Sequence, residues 1–181
     1  ILIKILFFIF KLIGYKFSSN VGFIIGVIFG PLFKSKKSII NNLEKANIQK
    51  QENLQKIASN VLGNYGRIFA EYIYIKKYRQ DILSNNIEII GQNVLEEIKH
   101  SNNPVIFISG HFNNFELMAM YIEKSGIDLA AIYRPLNNIF VNPIMENIRK
   151  KYICKKQIKK GISGTKEMLQ NFKNGSSIAL M

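Results

Sequence analysis

The stretch Pro104–Met120, PVIFISGHFNNFELMAM, sets the fold. Val105-Ile106-Phe107-Ile108 is a short run of β-branched and aromatic residues behind a proline. That is the pattern of a strand buried on both faces, as in a parallel sheet. Ser109-Gly110 ends it and His111 follows at once. Asn113 and Glu116 then stand three apart, ahead of the apolar series Phe115, Met118, Ala119 and Ile122. Asn-x-x-Glu before a helical period is a variant of the capping box, so a helix is predicted to start near Asn113. His111 thus falls on the loop at the carboxyl end of a strand, the edge where open α/β sheets bind ligands.

Working outward, Ile87-Glu88-Ile89-Ile90 reads as a short strand closed by Gly91, and Asn93 to Lys99 as a helix. Asp128 to Tyr133 is a second apolar run, stopped by Arg134-Pro135, because proline supplies no ladder donor and pushes its predecessor out of the helical region. Asn142-Pro143 opens a helix through Tyr152, with Pro143 suited to the first turn. Ser163 to Phe172 is a further helix, closed by Asn174-Gly175, and Ser177 to Met181 a last strand. Strands alternating with helices predict an α/β domain with a mostly parallel sheet and flanking helices, joined by right-handed crossovers. The runs ending at Ser109-Gly110 and Tyr133-Arg134 then deliver residues to one sheet edge.

Upstream, Ser38 to Lys77 is helical in pattern. Ile57, Val61, Leu62, Tyr65, Ile68, Phe69, Tyr72 and Ile73 recur at three- and four-residue steps, forming one wide apolar stripe. Residues 1–33 hold two apolar runs, Ile1 to Ile13 and Val21 to Phe33. Neither reaches the roughly 18–20 residues that span a bilayer. Gly22, Gly26 and Gly30 recur every fourth residue, which lets another helix approach closely. No small-residue cleavage site follows, which argues against a removable signal peptide. The segment is a spanning helix completed by residues upstream, a hairpin lying in the interface, or a hydrophobic hairpin buried in a soluble domain, and membrane attachment is expected. Lys34, Lys36 and Lys37 directly after it fit a cytoplasmic flank. The predicted organisation is a membrane-anchoring segment, 1–33, and an α/β domain, 34–181. The chain opens on Ile1 and stops at Met181 inside an apolar run, so it is expected to be a fragment, incomplete at the C-terminus.

Basic residues outnumber acidic ones 25 to 12 in the 181-residue chain, a formal net charge of +13. The excess is concentrated. Residues 1–40 carry six lysines and no acid, and residues 149–160 carry seven basic residues and no acid. Such asymmetry favours an anionic partner or, more plainly, a solvated basic face. Cys154 stands alone, which excludes an internal disulfide and a cysteine metal site. Its basic setting would lower its pKa, but a bystander role is expected.

His111 and Glu116 carry the candidate chemistry. With the histidine on a loop and the glutamate in the first helical turn, the carboxylate accepts a bond from one ring nitrogen and the other is left as a general base. Such a pair activates an alcohol without a serine or cysteine nucleophile. Equally open is a structural role, with Glu116 capping the helix and His111 bonded to a backbone carbonyl. Arg134 suits a bidentate grip on phosphate or a surface ion pair. Backbone amides near Gly110 and the helix start near Asn113 offer donors to an anion. His100 and His111 share no zinc-ligand spacing, and no phosphate-cradling glycine loop occurs, so neither metal nor other cofactor is expected.

Gly110-His111-Phe112-Asn113-Asn114-Phe115-Glu116 resembles the H-x-x-N-[WF]-E form of the acyltransferase motif found in the bacterial lipid A late acyltransferases, also called lauroyl/myristoyl acyltransferases. Tyr133-Arg134-Pro135 is similar to that family's second motif. Arg149 and Gly164 to Gly175 resemble later family positions, and the apolar N-terminus with its basic flank resembles the family's anchor. The resemblance implies a glycerolipid acyltransferase-like fold. It implies transfer of a fatty acyl group from acyl carrier protein to a hydroxyl of a lipid A precursor, on the cytoplasmic face of the inner membrane. His111 would be the base and Glu116 its partner, with Arg134, Asn114, Gly110 and Arg149 binding substrate. Other glycolipid or phospholipid acceptors stay open. So does a non-catalytic basic protein that binds membrane or nucleic acid, although no nucleic-acid-binding motif occurs.

Overall fold

Gly14 divides the apolar N-terminus into two helices in the computed structural model, which describes residues 2–46 and 53–180. The chain forms two compact units, Ile1–Tyr74 and Ile75–Met181.

The first unit is helical: α1 (Leu2–Ile13), α2 (Tyr15–Phe29), α3 (Lys36–Lys45) and α4 (Leu54–Glu71), with short 3-10 turns at Gly30–Leu32 and Tyr72–Tyr74. Gly14 sits at φ 82°, a left-handed conformation that favours glycine. The break is this one residue, and Tyr15 to Asn20, which separate the apolar runs in the sequence, belong to α2. Asn53 starts α4 by accepting the amides of Gln55 and Lys56 at 3.0 and 3.2 Å. The glycine spacing does what it predicts. A Cβ on Gly66 of α4 would lie 2.1 Å from Gly22 O, and one on Gly26 would lie 2.4 Å from Leu62 O. The backbones of α2 and α4 therefore meet directly. Ile39 of α3 packs against Ala58 and Leu62 of α4.

The second unit is α/β. After α5 (Ile75–Arg79) and α6 (Gln92–Ser101) it alternates β1 (Ile106–Ile108), α7 (Glu116–Lys124), β2 (Leu129–Tyr133), α8 (Asn142–Tyr152), β3 (Lys156–Lys159), α9 (Ile162–Lys173) and β4 (Ser177–Leu180). The four strands form one parallel sheet in the order β1-β4-β2-β3. The steps β1→β2 and β2→β3 run one way across the sheet and β3→β4 runs back. Right-handed crossovers then place α7 and α8 on one face and α9 on the other. Ala130, Ile158 and Ile178 form the core under α9, with Met168 and Phe172 packed on them.

Three expectations are corrected, and one strand went unread. β1 is an edge strand, not one buried on both faces: Ile108 is 81% exposed and Ile106 53%. Only Phe107 turns toward α7 and α6. Ile87 to Ile90 form no strand. These residues run beside α6 and α7, where Ile87, Ile89 and Ile90 line an apolar groove with Val94, Leu117 and Tyr121. Their apolar side chains serve that groove instead of a ladder. The helix begins at Glu116, not near Asn113, because Asn113 takes a left-handed φ of 44° and Phe115 holds the N-cap position without a side-chain bond. Lastly, Lys156–Lys159 is a strand that the lysine-rich sequence conceals, with only Ile158 buried.

No single described helix is long and apolar enough to cross a membrane. Tyr15–Leu32 with Lys36–Lys45 passes that test jointly, but the pair bends by 93° at the break.

Candidate active site

The carboxyl ends of the parallel strands collect the residues that the sequence singles out. β1 leads through Ser109 and Gly110 to His111, β2 to Arg134-Pro135, and β3 to Lys160-Gly161. Both outer strands are extended by one further backbone bond, Ser109 N to Leu180 O at 3.0 Å and Lys160 N to Tyr133 O at 2.9 Å. Between them opens a cleft of about 390 Å³, with Ile108, Ile132 and Leu180 on its apolar side and Lys159, Lys160 and Thr165 on its polar side.

His111 is exposed, its ring against Phe115 with centroids 4.5 Å apart and planes inclined by 55°. The Gly110 carbonyl accepts the Phe112 amide at 2.9 Å, a tight turn that swings the histidine clear of the strand. A Cβ on Gly110 would meet the Phe112 ring at 2.7 Å. Asn114 is half-buried and its carbonyl accepts the Leu117 amide at 3.1 Å, which starts α7.

Glu116 is buried, and its described partner is an arginine. Arg149 of α8 donates to Glu116 Oε1 through Nε at 2.8 Å and Nη2 at 2.6 Å. Among the described residues no hydrogen bond joins His111 to Glu116. The same guanidinium lies 5.6 Å from the centre of the Tyr133 ring. Arg149, carried from the family resemblance as a substrate contact, thus directs two of its donors to Glu116. Arg134 stands exposed at the end of β2, and among the described residues it enters no salt bridge.

A second set of bonds fixes the turn that carries Arg134. Tyr133 donates to Glu146 Oε1 at 2.6 Å, and Asn142 Nδ2 reaches the same oxygen at 2.9 Å. Asn142 Oδ1 in turn accepts the Leu136 amide at 2.8 Å, just past Pro135. Lys159 lies 3.7 Å from Glu146. Burial, then the bond to Glu146, push the Tyr133 hydroxyl well above its ordinary value. The bond from Tyr133, then that from Asn142, hold the Glu146 carboxyl below the ordinary 4.5. Sequence reasoning missed Glu146, Asn142 and the cleft lysines. The i, i+4 spacing of Asn142 and Glu146 was a usable signal, since it puts both on one face of the predicted helix.

Cys154 is buried and donates to Leu129 O at 2.9 Å. Burial raises its thiol to about 11, overturning the reading that its lysine-rich setting lowers it. Among the described residues, no group of three or more His, Cys, Asp or Glu side chains is placed to hold a metal ion.

A family model described as bacterial lipid A biosynthesis acyltransferase matches residues 1–181. A curated protein of Shigella flexneri, lipid A biosynthesis acyltransferase 2, is 31% identical over 62 residues. That match takes in 34% of this chain and spans only a fifth, 20%, of the relative's length. No solved structure matches.

Proposed function

Since the chain belongs to the bacterial lipid A biosynthesis acyltransferase family, we propose that it moves a fatty acyl group from acyl carrier protein to a hydroxyl of a lipid A precursor. The observation that carries the reading is the shared sheet edge. There His111 follows β1 on a tight turn, Arg134 stands exposed at the end of β2, and the buried Glu116 opens α7 five residues after the histidine.

In the proposed mechanism His111 takes the proton of the acceptor hydroxyl as its oxygen attacks the thioester carbonyl. The tetrahedral intermediate collapses with cleavage of the C–S bond, and the protonated imidazole returns its proton to the departing thiolate. In this mechanism a backbone amide near Gly110 or at the start of α7 would donate to the oxyanion. Glu116 supports the imidazolium once substrate orders the exposed ring, since catalytic bonds often tighten only in the complex. Arg134, with Lys159 and Lys160 at the end of the neighbouring β3, answers the phosphates of the acceptor. The exposed lysines of α8 and β3 suit an acidic carrier protein. No step calls for a metal or redox cofactor. The chain would work at the cytoplasmic face of the inner membrane, held by the segment 1–33. A different glycolipid or phospholipid acceptor is the alternative within the same chemistry.

The test is acyl transfer by the full-length protein carrying His111→Ala. General-base catalysis contributes about 10²–10⁴-fold, so a loss of that size is expected. Near-normal turnover would remove the histidine from the mechanism. Mass spectrometry of membrane lipids from cells with and without the protein would identify the acceptor.

A further inference from the structure

Arg134 is exposed, yet the turn that bears it is tied down on both sides. Before it, the Tyr133 carbonyl accepts the Lys160 amide at 2.9 Å, and the Tyr133 hydroxyl donates to Glu146 Oε1 at 2.6 Å. After it, Pro135 fixes its own φ and restricts Arg134, and the Leu136 amide donates to Asn142 Oδ1 at 2.8 Å. Asn138 closes the rest of the loop, its Oδ1 accepting the amides of Phe140 and Val141 at 3.0 and 3.2 Å. A side chain this open on a backbone this constrained is a prepared binding arm, because the backbone is ordered before a ligand arrives.

The bonds converge on Glu146. Asn142 Nδ2 reaches the same Oε1 at 2.9 Å, which turns Asn142 Oδ1 toward the Leu136 amide. One carboxylate oxygen therefore holds the residue before Arg134 directly and the residue after Pro135 through Asn142. Lys159, which pairs with Tyr133 across the sheet, lies 3.7 Å from that oxygen. The two donors on Oε1 keep the carboxyl ionised to below its ordinary 4.5, so Glu146 serves as an anchor and not as a proton donor. Asn142, Glu146 and Arg149 follow steps of four and three on α8, one face of the helix. Arg149 at the far end of that face grips Glu116, while Glu146 governs the arginine turn.

We propose that Glu146 is a positioning residue of the acyl transfer: through Tyr133 and Asn142 it presets the Arg134 turn for a phosphate of the acceptor, without touching the substrate itself. The inference rests on the phosphate contact proposed above for Arg134 and adds the group that aims it.

Kinetics of the full-length protein test it, with a purified lipid A precursor in detergent micelles as acceptor, either intact or stripped of phosphate. Glu146→Leu keeps the bulk and removes the accepting oxygen. KM for the intact acceptor is expected to rise about 10-fold, the loss of roughly one hydrogen bond to a charged group, with kcat and the KM for the acyl donor near native. KM for the stripped acceptor should not change. Asn142→Ala, at a half-buried position, should repeat this split and serves if Glu146→Leu does not fold. Glu146→Gln keeps an oxygen that accepts both bonds, so its acceptor KM should stay near native even where its melting temperature is lowered. In an Arg134→Gln background, Glu146→Leu should add nothing to the acceptor KM. A native KM in Glu146→Leu and Asn142→Ala, beside a raised KM in Arg134→Gln, would overturn the positioning and leave the phosphate contact standing. A native KM in Arg134→Gln would overturn the contact itself, and this inference with it. An equal rise for intact and stripped acceptor, or a fall in kcat alone that glutamine does not rescue, would mark a merely structural role and overturn the proposal as well.

Discussion

Replacing Arg149 by methionine separates the two roles open to it. In the structure its guanidinium puts two bonds on one oxygen of Glu116, and the side chains are only 12% and 5% exposed. Methionine fills much of the space but leaves a buried carboxylate without that partner. Breaking such a pair costs about 3–5 kcal/mol. For a chain of this length that is a fall in melting temperature of roughly 6–20 °C. Glu116→Gln removes the charge that needs compensating. In a Glu116→Gln background, Arg149→Met should therefore lose much less, with an interaction energy at the upper end of about 0.5–3 kcal/mol. Thermal melts of the four proteins complete the cycle, and kcat and KM follow on the same samples. If Arg149 acts through Glu116, its effect on kcat also shrinks in the glutamine background. If it grips the substrate phosphate instead, KM rises by the same factor in both backgrounds and the penalties multiply. Additive melting temperatures together with multiplying kinetic penalties would refute the reading of Arg149 as the residue that holds Glu116.

Gly66→Ala tests the α2–α4 seam. Its Cβ would sit 2.1 Å from Gly22 O and 2.7 Å from Gly26 Cα, both backbone atoms, so the helices must part by more than 1 Å. A loss at or above the usual overpacking cost of about 1–3 kcal/mol is expected in a circular-dichroism melt, and an unchanged melting temperature would contradict the close approach. Glu146→Gln tests the network behind Tyr133 through pH. The native carboxyl titrates below its ordinary 4.5, so its contribution is complete above that value and fades as pH falls through the native pKa. The gap in melting temperature between the natural protein and the variant should be full near neutrality and close in acid; a gap that stays constant down to pH 3 would exclude an ionised Glu146 as its source.

What the sequence made legible follows from where burial and turn chemistry coincide. Leu129–Tyr133, Asn142–Tyr152 and Ser177–Leu180 were readable because an apolar run or a helical period ends on a proline, a glycine or a proline start. β3 was not, because an exposed strand of Lys-Gln-Ile-Lys buries one side chain and shows no period of its own. Ile87 to Ile90 failed in the opposite sense. Their β-propensity is real, yet propensity describes fit to a half-buried surface, and the groove beside α6 provides one without a neighbouring strand. At the site, the positions of His111, Glu116 and Arg134 were legible from the order of elements. The bond from Arg149 to Glu116 was not, because it spans 33 residues and depends on α7 and α8 sharing a face.

The strand order explains how one edge can hold a site assembled from distant segments. β1 and β2 are not neighbours; β4, last in the chain, lies between them and pairs with both. Phe107, Ala179 and Ala131 stand in one row across the sheet. His111 is four residues beyond that row and Arg134 three, so β4 sets the two loops at the same level. The ion pair between α7 and α8 is a second, independent tie on one face of the sheet. The first fixes where the loops emerge, and the second fixes where Glu116 sits at the start of α7. Loss of Arg149 should then misplace the glutamate while the ladder keeps histidine and arginine level, which makes a fall in kcat with little change in KM the expected kinetic signature.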